Sequence, residues 1–207
     1  MKLLMVGPQG SGKGTIGEML SEHMGVPLIS VGDTLRDLPT DHPKYKEVHD
    51  TINRGNLAPV EIVSVLLKER VSKNDCINGF IFDGWARRLK DLEYFDPKFD
   101  KVVYLKISPE TSVKRLSARR TCENCGRIYN IETIPPKTEG VCNVCGGRLM
   151  QREDDTPEAI IKRLEIFNEE TMPVIDYFRE KGVLLEINAE TAPKEVFENV
   201  LRALNRI

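Results

Sequence analysis

The sequence shows no marked excess of charge of either sign. Its 207 residues include 30 Lys and Arg against 32 Asp and Glu, which gives a formal net charge of −2 at pH 7. Proteins whose main partner is a nucleic-acid backbone carry a basic surface, because phosphate binding depends on Lys and Arg. The slightly acidic balance therefore argues against a nucleic-acid partner and leaves room only for a local basic patch.

Long apolar runs are also lacking. A membrane-spanning helix needs roughly 18 or more consecutive apolar residues, and the sequence contains no such run. The N-terminus, MKLLMVGPQG, has a short apolar stretch, but Pro8 and glycines follow it at once. This pattern indicates a buried first strand rather than a signal peptide. We expect no membrane partner and a cytoplasmic location.

Histidine is scarce, and His23, His42 and His49 have spacings that match neither a catalytic triad nor a metal site. We interpret these side chains as structural. Internal repeats and low-complexity segments are absent as well. A chain of this length can bury a substantial core, so one domain with small insertions is predicted.

Cysteine, by contrast, is arranged in a pattern. Four of the five cysteines form two CxxC pairs, each followed by glycine, with the spacing C-x2-C-x16-C-x2-C. The predicted ligands are Cys122, Cys125, Cys142 and Cys145. In a reducing compartment this spacing indicates four thiolates around one tetrahedral, structural zinc ion, and two local disulfides or a redox CxxC are the alternatives. The remaining Cys76 is interpreted as a packed small hydrophobe.

Short apolar runs alternate with helical patterns along the chain. The runs predicted as strands are 2–6, 27–30, 79–83, 101–107 and 182–188, and the predicted helices are 15–24, 59–72, 108–119, 156–181 and 192–207. This alternation predicts an α/β fold with a doubly wound parallel sheet. Residues 31–59 and 121–157 do not fit it and are interpreted as insertions at the rim of the sheet. The second is too small to bury a core, so a bound metal would supply its folding energy.

The stretch GPQGSGKGT, residues 7–15, is a G-x4-G-K motif between the first strand and a helix. Its glycines let backbone N–H groups converge on phosphate oxygens, and Lys13 adds a point charge. Gly14 follows the lysine and the hydroxyl comes one residue later, at Thr15, so the motif is a variant. A flexible glycine-rich turn with a surface lysine is the alternative, but the strand, loop and helix occur in the required order. The predicted phosphate-binding residues are Gly10, Ser11, Gly12, Lys13, Gly14 and Thr15.

Four motifs together resemble those of the adenylate kinases and related nucleoside monophosphate kinases. They are GPQGSGKGT, SVGDTLR, NGFIFDGWARR and QREDDTPEAIIKRL, and they span essentially the whole chain in this order. The cysteine module resembles the zinc-bearing lid of long-lid members. The resemblance implies a P-loop NTPase-type fold with a doubly wound five-stranded parallel sheet. Its implied parts are a core of residues 1–30, 60–120 and 158–207, an NMP-binding insertion of residues 31–59, and a zinc-binding lid of residues 121–157.

The resemblance also implies an activity, the reversible Mg²⁺-dependent transfer of a phosphoryl group from ATP to AMP that gives two ADP. Such a transfer needs no nucleophilic side chain, and catalysis depends on positioning and on neutralising phosphate charge. Arginine forks suit this task. The implied arginines are Arg36 and Arg87 at the acceptor phosphate, Arg119, Arg152 and Arg163 at the transferred group, and Arg115 against the donor adenine. Because Arg115 and Arg119 are four residues apart in the predicted helix 108–119, we expect both on one helix face.

Three carboxylates complete the implied catalytic set. Asp83 ends an apolar strand, where a carboxylate can reach Mg²⁺ through water. Asp154 and Asp155 follow the cysteine module, near the end of the implied lid, and would hinge it and orient arginines or metal-bound water. Further contacts implied by the family are Ile128 and Tyr129 with ATP, and Val31, Asn56, Leu57, Ala58, Gly84, Trp85 and Asp91 with AMP, besides Arg36, Arg87, Arg152 and Arg163.

The acceptor base is where the sequence departs from the family pattern. Val31 replaces a threonine, and Asp91 stands where adenine-specific members carry glutamine. A glutamine amide both donates and accepts, whereas an ionised aspartate only accepts. AMP is the expected acceptor, and a relaxed or altered base choice, GMP or CMP, is the alternative.

The sequence disfavours two other classes of function. A zinc-ribbon nucleic-acid ATPase predicts a basic cysteine module with several exposed aromatics, but residues 121–150 balance three basic with three acidic side chains and offer only Tyr129. A P-loop kinase with a non-nucleotide acceptor is disfavoured by GDTLR and DGWAR. We expect a monomer whose partners are ATP, AMP and ADP.

Overall fold

Five parallel strands form the centre of the protein in a computed structural model of the chain, which describes residues 1–54, 56–153 and 155–205. These strands are β1 (Lys2–Val6), β2 (Leu28–Ser30), β3 (Phe80–Asp83), β4 (Lys101–Lys106) and β8 (Leu184–Asn188). Their order across the sheet is β2-β3-β1-β4-β8, and all four pairings are parallel. The predicted α/β class and five-stranded parallel sheet are confirmed.

Helices connect these strands and cover both faces of the sheet. The helices are α1 (Lys13–Met24), α2 (Val31–Arg36), α3 (Tyr45–Asn53), α4 (Val60–Val71), α5 (Leu89–Tyr94), α6 (Pro109–Ser117), α7 (Pro157–Ile166), α8 (Met172–Glu180) and α9 (Pro193–Leu204), with a π-helical turn at Phe167–Thr171 between α7 and α8. Among the described residues, no helix is long and apolar enough to cross a bilayer.

The core consists of two apolar layers, one on each face of the sheet. Side chains alternate between the faces of a strand, so Leu4 and Val6 of β1 join one layer while Leu3 and Met5 join the other. The first layer includes residues of α2, α4 and α8, and the second includes residues of α1 and α9. Because both faces are covered, the strands are almost continuously apolar, and this is why they were recognisable in the sequence.

A second, smaller sheet lies in the cysteine-rich segment. Its antiparallel strands are β5 (Arg119–Cys122), β6 (Ile128–Asn130) and β7 (Leu149–Met150), in the order β6-β5-β7. None of these strands was predicted, because two to four residues are too few to show an alternating pattern.

The short strand β5 overturns one prediction. Helix α6 ends at Ser117, and Arg119 is the first residue of β5, where it pairs with Asn130 of β6. The expectation that Arg115 and Arg119 share one helix face is therefore wrong. Local helix propensity continues past Ser117, but pairing with β6 determines the backbone there, which a local pattern cannot reveal.

The predicted helix 156–181 is a continuous helical segment, but its middle is a π turn. Pro173 lies in the first turn of α8. Proline has no N–H and its ring clashes with the carbonyl four residues earlier in a regular α-helix. A wider turn before the proline relieves that conflict.

Candidate active site

A cavity of about 320 Å³ lies at the carboxyl ends of the central strands. In the sheet order, β1 lies between β3 and β4. The connections that lead to these two strands therefore run to opposite sides of β1. Doubly wound sheets bind ligands in the crevice at such a switch point. The loops after β1, β2 and β3, together with the cysteine-rich segment, form the walls of this cleft.

The loop between β1 and α1 forms the floor of the cleft. Gly10 and Gly12 have φ angles of 83° and 91°, a left-handed conformation that favours glycine. A Cβ atom at Gly10 would also lie 3.1 Å from the carbonyl oxygen of Ser112. The hydroxyl of Ser112 donates to the carbonyl of Gln9 and so fastens the loop to α6. The loop is thus held in a conformation whose N–H groups can face an anion.

Lys13, the first residue of α1, is folded back over this loop. Its Nζ donates to the carbonyl oxygens of Gly7 at 2.8 Å and of Pro8 at 2.9 Å. Burial lowers the pKa of Lys13 to about 8, and the nearby carboxylate of Asp83 acts in the opposite direction. An ammonium group that is this poorly solvated is stabilised by an incoming anion.

Asp83 ends β3, beside β1, where Met5 is its register partner. Burial raises the pKa of its carboxyl group, while the charge of Lys13 counteracts this effect. A Cβ atom at Gly14 would lie 3.6 Å from Asp83 Oδ2, so this carboxylate faces the first turn of α1. A buried carboxylate beside a phosphate-binding loop offers the hard oxygen ligands that Mg²⁺ prefers.

Two of the predicted arginines converge on one buried carboxylate. Arg119 donates through Nε to Asp155 Oδ2 at 2.8 Å and through Nη2 to Oδ1, a bidentate pair. Arg163 Nη1 lies 3.7 Å from Asp155 Oδ1, and the Asp155 side chain is fully buried. Asp155 therefore positions both arginines from their buried side. It also links β5, which carries Arg119, to α7, which carries Arg163. Its predicted neighbour Asp154 lies outside the described residues.

The remaining arginines have identifiable contacts as well. Arg36 Nη2 is 2.5 Å from Asp33 Oδ1, and Arg152 Nη2 is 3.7 Å from the same atom. Arg152 Nε also donates to Thr121 Oγ1 at 3.0 Å. Arg87 Nε donates to the carbonyl of Gly84 at 3.0 Å, and burial lowers its pKa. Half-buried cations that line one cleft are stabilised when anions occupy the space between them.

Most of the predicted site residues line this one cleft. They are Gly10, Ser11, Gly12, Lys13, Gly14, Thr15, Val31, Arg36, Asn56, Leu57, Ala58, Asp83, Gly84, Trp85, Arg87, Asp91, Arg115, Arg119, Ile128, Tyr129, Arg152 and Arg163. Arg115 donates through Nη1 to the carbonyl of Gly10 at 3.3 Å, although it and Arg119 belong to different elements. Residues that sequence reasoning missed include Gln9, Arg88, Thr133 and Thr191. The feature of the sequence that could have indicated Arg88 is its position directly after Arg87, a predicted site residue.

Four thiols come together in the cysteine-rich segment. Their sulfur atoms all lie within 4.8 Å of one another, with Cys122 and Cys145 at 3.4 Å and Cys125 and Cys142 at 3.7 Å. Tetrahedral Zn²⁺ with Zn–S bonds of about 2.3 Å requires sulfur atoms roughly 3.8 Å apart. All four are free thiols, and they converge on one point rather than forming two separate pairs. The donor set and its spacing fit a four-coordinate soft metal ion.

The two cysteine pairs have matching backbone turns. Gly126 N–H donates to Cys122 O and Gly146 N–H to Cys142 O, each at 3.0 Å. Both glycines have φ angles near 70°, at 71° and 72°, as a tight turn between ligands requires. The hydroxyl of Tyr129 lies 3.4 Å from Cys142 Sγ and forms a hydrogen bond with it. This hydrogen bond is the main reason why the pKa of the Cys142 thiol is lowered to about 6.

Comparison with known proteins gives one consistent result. A family model described as adenylate kinase matches residues 5–183. A protein named adenylate kinase from Caldicellulosiruptor bescii is 41% identical over 212 residues, which cover 99% of both chains. Proteins of the same name from Thermosipho africanus and Clostridium tetani are 39% and 38% identical over 214 and 215 residues, in each case 100% of both chains.

Proposed function

The chain belongs to the adenylate kinase family and is a nucleoside monophosphate kinase, and on that premise we propose how its cleft divides between two nucleotides. The donor end holds ATP, with its phosphates on residues 10–15 and its adenine near Arg115, Ile128 and Tyr129. The acceptor end holds AMP, whose phosphate meets Arg36 and Arg87. The residues proposed to surround the rest of AMP are Val31, Asn56, Leu57, Ala58, Gly84, Trp85 and Asp91.

The observation that carries this proposal is the convergence of cations between the two ends. The same cleft is lined by Lys13 at the start of α1, Arg87 in the loop between β3 and α5, Arg119 in β5 and Arg163 in α7. A phosphoryl group in transfer spreads negative charge over its equatorial oxygens, and groups already fixed around it stabilise that charge without reorganisation. The acceptor's phosphate oxygen attacks in line, so no side chain acts as a nucleophile. Arg152 is proposed to join this set from the lid.

Asp83 is proposed to hold Mg²⁺ through water, where the ion would neutralise the β- and γ-phosphate oxygens. The fit rests on the buried carboxylate facing the first turn of α1. Asp155 is proposed to orient Arg119 and Arg163, with Asp154 as its neighbour at the hinge. This role follows from the bidentate contact with Arg119.

The proposed domains are a core of residues 1–30, 60–120 and 158–207, an NMP-binding insertion of residues 31–59, and a lid of residues 121–157. The two insertions approach each other across the cleft. Asn53 Nδ2 donates to Glu153 Oε2 at 3.1 Å, and Arg152 lies 3.7 Å from Asp33. Insertions that meet above the phosphates exclude water, which protects ATP from hydrolysis.

The metal in the lid is proposed to be a structural Zn²⁺ bound by Cys122, Cys125, Cys142 and Cys145. Four thiolates leave no open position for catalysis, so the ion would stiffen the lid without taking part in transfer. Reduced thiols of this kind agree with a cytoplasmic protein.

We propose that the protein acts as a monomer, because one chain supplies all the residues named above.

The proposal is tested by a coupled assay of ADP formation from ATP and AMP with Mg²⁺, with metal content measured on the same sample. We expect ADP formation and one zinc ion per chain. Failure to phosphorylate any nucleoside 5′-monophosphate would overturn the proposed reaction. A metal-free lid in an active, stable enzyme would overturn the zinc assignment alone.

A further inference from the structure

The carboxylate of Asp91 is engaged by its own loop. Asp91 lies in the first turn of α5 and is 4% exposed. Its Oδ2 accepts the backbone N–H groups of Arg87 and Arg88, both at 3.0 Å, and its Oδ1 accepts Nε of Arg88, also at 3.0 Å. A carboxylate has about four acceptor positions, so roughly one remains for a ligand.

The side chain held by Asp91 is Arg88, which also lines the cleft. Its Nη2 donates to the carbonyl of Ala58 at 3.3 Å, and its side chain is 29% exposed. The guanidinium is thus fixed on two sides, by Asp91 and by Ala58. Within the described part of the chain Nη1 has no hydrogen-bond partner, which leaves both of its N–H groups available.

Part of the cleft lining is apolar. Leu35 of α2, Ile52 of α3 and Val60 and Val63 of α4 form this part. Three of them, Leu35, Val60 and Val63, are buried in the apolar layer on this face of the sheet, and Ile52 packs against that layer. An apolar wall suits the flat face of a base, whereas a phosphate needs cations such as Arg36 and Arg87, which line the same cleft.

We propose that Arg88 is a specificity-determining residue that donates to the acceptor's base, and that it extends the acceptor class from AMP to 6-oxopurine 5′-monophosphates, GMP and IMP. Asp91 is then a positioning residue, which acts on the base by holding Arg88. This inference rests on the proposed assignment of the acceptor end.

The chemistry of the purine edge is the reason. Guanine and hypoxanthine present O6 and N7 side by side, two acceptors that match two N–H groups of a guanidinium fork. Adenine presents N7 beside an amino group, which is a donor. The amino group would therefore face an N–H donor of Arg88, with no acceptor between them. The adenine amino group can instead donate to the carbonyl of Ala58 or to the remaining acceptor position of Asp91, and AMP is still bound.

The experiment compares acceptors within each variant. Values of kcat/KM for AMP, GMP and IMP are measured at saturating ATP for the unchanged protein, Arg88→Ala, Arg88→Lys and Asp91→Asn. Lys90→Ala is the matched control, because Lys90 is an exposed cation on α5 that does not line the cleft. The ratio of GMP to AMP is the readout, since loss of folded protein affects both acceptors equally.

We expect the unchanged protein to phosphorylate GMP and IMP measurably. Arg88→Ala should lower the GMP-to-AMP ratio by about tenfold, the effect of losing one hydrogen bond to a buried polar group. Arg88→Lys, with a single point donor, and Asp91→Asn, with a looser Arg88, should lower it less. Lys90→Ala should leave it unchanged.

Two results would overturn the inference while leaving the proposed function intact. One is phosphorylation of AMP with no detectable use of GMP or IMP. The other is an unchanged GMP-to-AMP ratio in Arg88→Ala, which would show that Arg88 only supports the loop. Inactivity towards all nucleoside monophosphates would overturn the proposed function itself and this inference with it.

Discussion

The central sheet and the proposed lid, residues 121–157, differ in what can stabilise them. The sheet buries large side chains completely, such as Leu4, Ile81 and Phe82, between layers of helices. The lid's apolar cluster has four members, and two of these, Cys122 and Cys142, are proposed metal ligands. Apolar burial therefore holds the core, whereas the proposed lid would depend on a metal ion bound by its thiols.

This difference matches the work of the two regions. The core carries Lys13 and Asp83, which must keep fixed positions, on a rigid sheet and the helix that follows it. The proposed lid brings Arg152 to the cleft and would have to open for nucleotides to enter. A small segment can move as one body only if it is stiff, and four thiolates around one ion stiffen it without a large core.

The largest expected effect comes from the core's contribution to the cleft. Lys13→Ala should lower kcat/KM by about a thousandfold, because the cation beside the transferred phosphate is lost. Both regions should stay folded, since among the described residues Lys13 Nζ donates only to the loop carbonyls of Gly7 and Pro8. Steady-state kinetics and circular dichroism measure the two outcomes. Lys162→Ala, an exposed lysine outside the cleft, is the control, and activity near the unchanged level in Lys13→Ala would contradict the assignment.

The next effect tests apolar burial in the core. Leu67 is fully buried in α4, and Leu67→Ala should lower the free energy of unfolding by about 3 kcal/mol. Val65→Ala on the same helix should cost less than about 0.5 kcal/mol, because Val65 is 52% exposed. Denaturant unfolding gives both values. Zinc content below the melting temperature should not change, and coupled loss of zinc would show that the two regions are not separately stabilised.

Substitution of a proposed metal ligand in the lid should instead affect the lid and leave the core unchanged. Cys142→Ser should weaken metal binding and speed amide exchange in residues 121–150 by at least about tenfold, while exchange in the central strands stays the same. Val144→Ser, at a 65% exposed position beside the same ligand, should retain the metal. Hydrogen exchange read by mass spectrometry separates the two regions. Equal protection of the lid with and without Cys142 would exclude a metal-stabilised lid.

The same contrast explains how far the sequence could predict the molecule. The five strands and the phosphate-binding loop follow from local patterns, because apolar runs and glycine spacing are read within a few residues. The lid strands and the end of α6 before Arg119 depend on pairing with β6, which is a non-local contact. The position of Arg88 was equally out of reach, because it depends on a hydrogen bond to Asp91 and on Ala58, thirty residues earlier.

The smallest expected effect is the response of the core's lysine to pH. Burial lowers the pKa of Lys13 to about 8 in the nucleotide-free protein, from an ordinary value near 10.5. Phosphate oxygens favour the ammonium form, so ATP binding above pH 8 requires proton uptake. The affinity for ATP should therefore be independent of this group below pH 8 and fall by at most about tenfold per pH unit above it.

Isothermal titration calorimetry from pH 7 to 9.5, in buffers of different ionisation enthalpy, measures both the affinity and the proton uptake. Lys13→Arg is the matched variant, because a guanidinium keeps its charge over this range and should remove the uptake. Constant ATP affinity across the range in the unchanged protein would mean that Lys13 does not contact the phosphates. Since the charged groups that shift the pKa of Lys13, namely Asp83, Arg87, Arg119 and Arg163, lie outside residues 121–157, Cys142→Ser should show the same pH dependence. A different slope in that variant would show that lid closure controls how well Lys13 is desolvated.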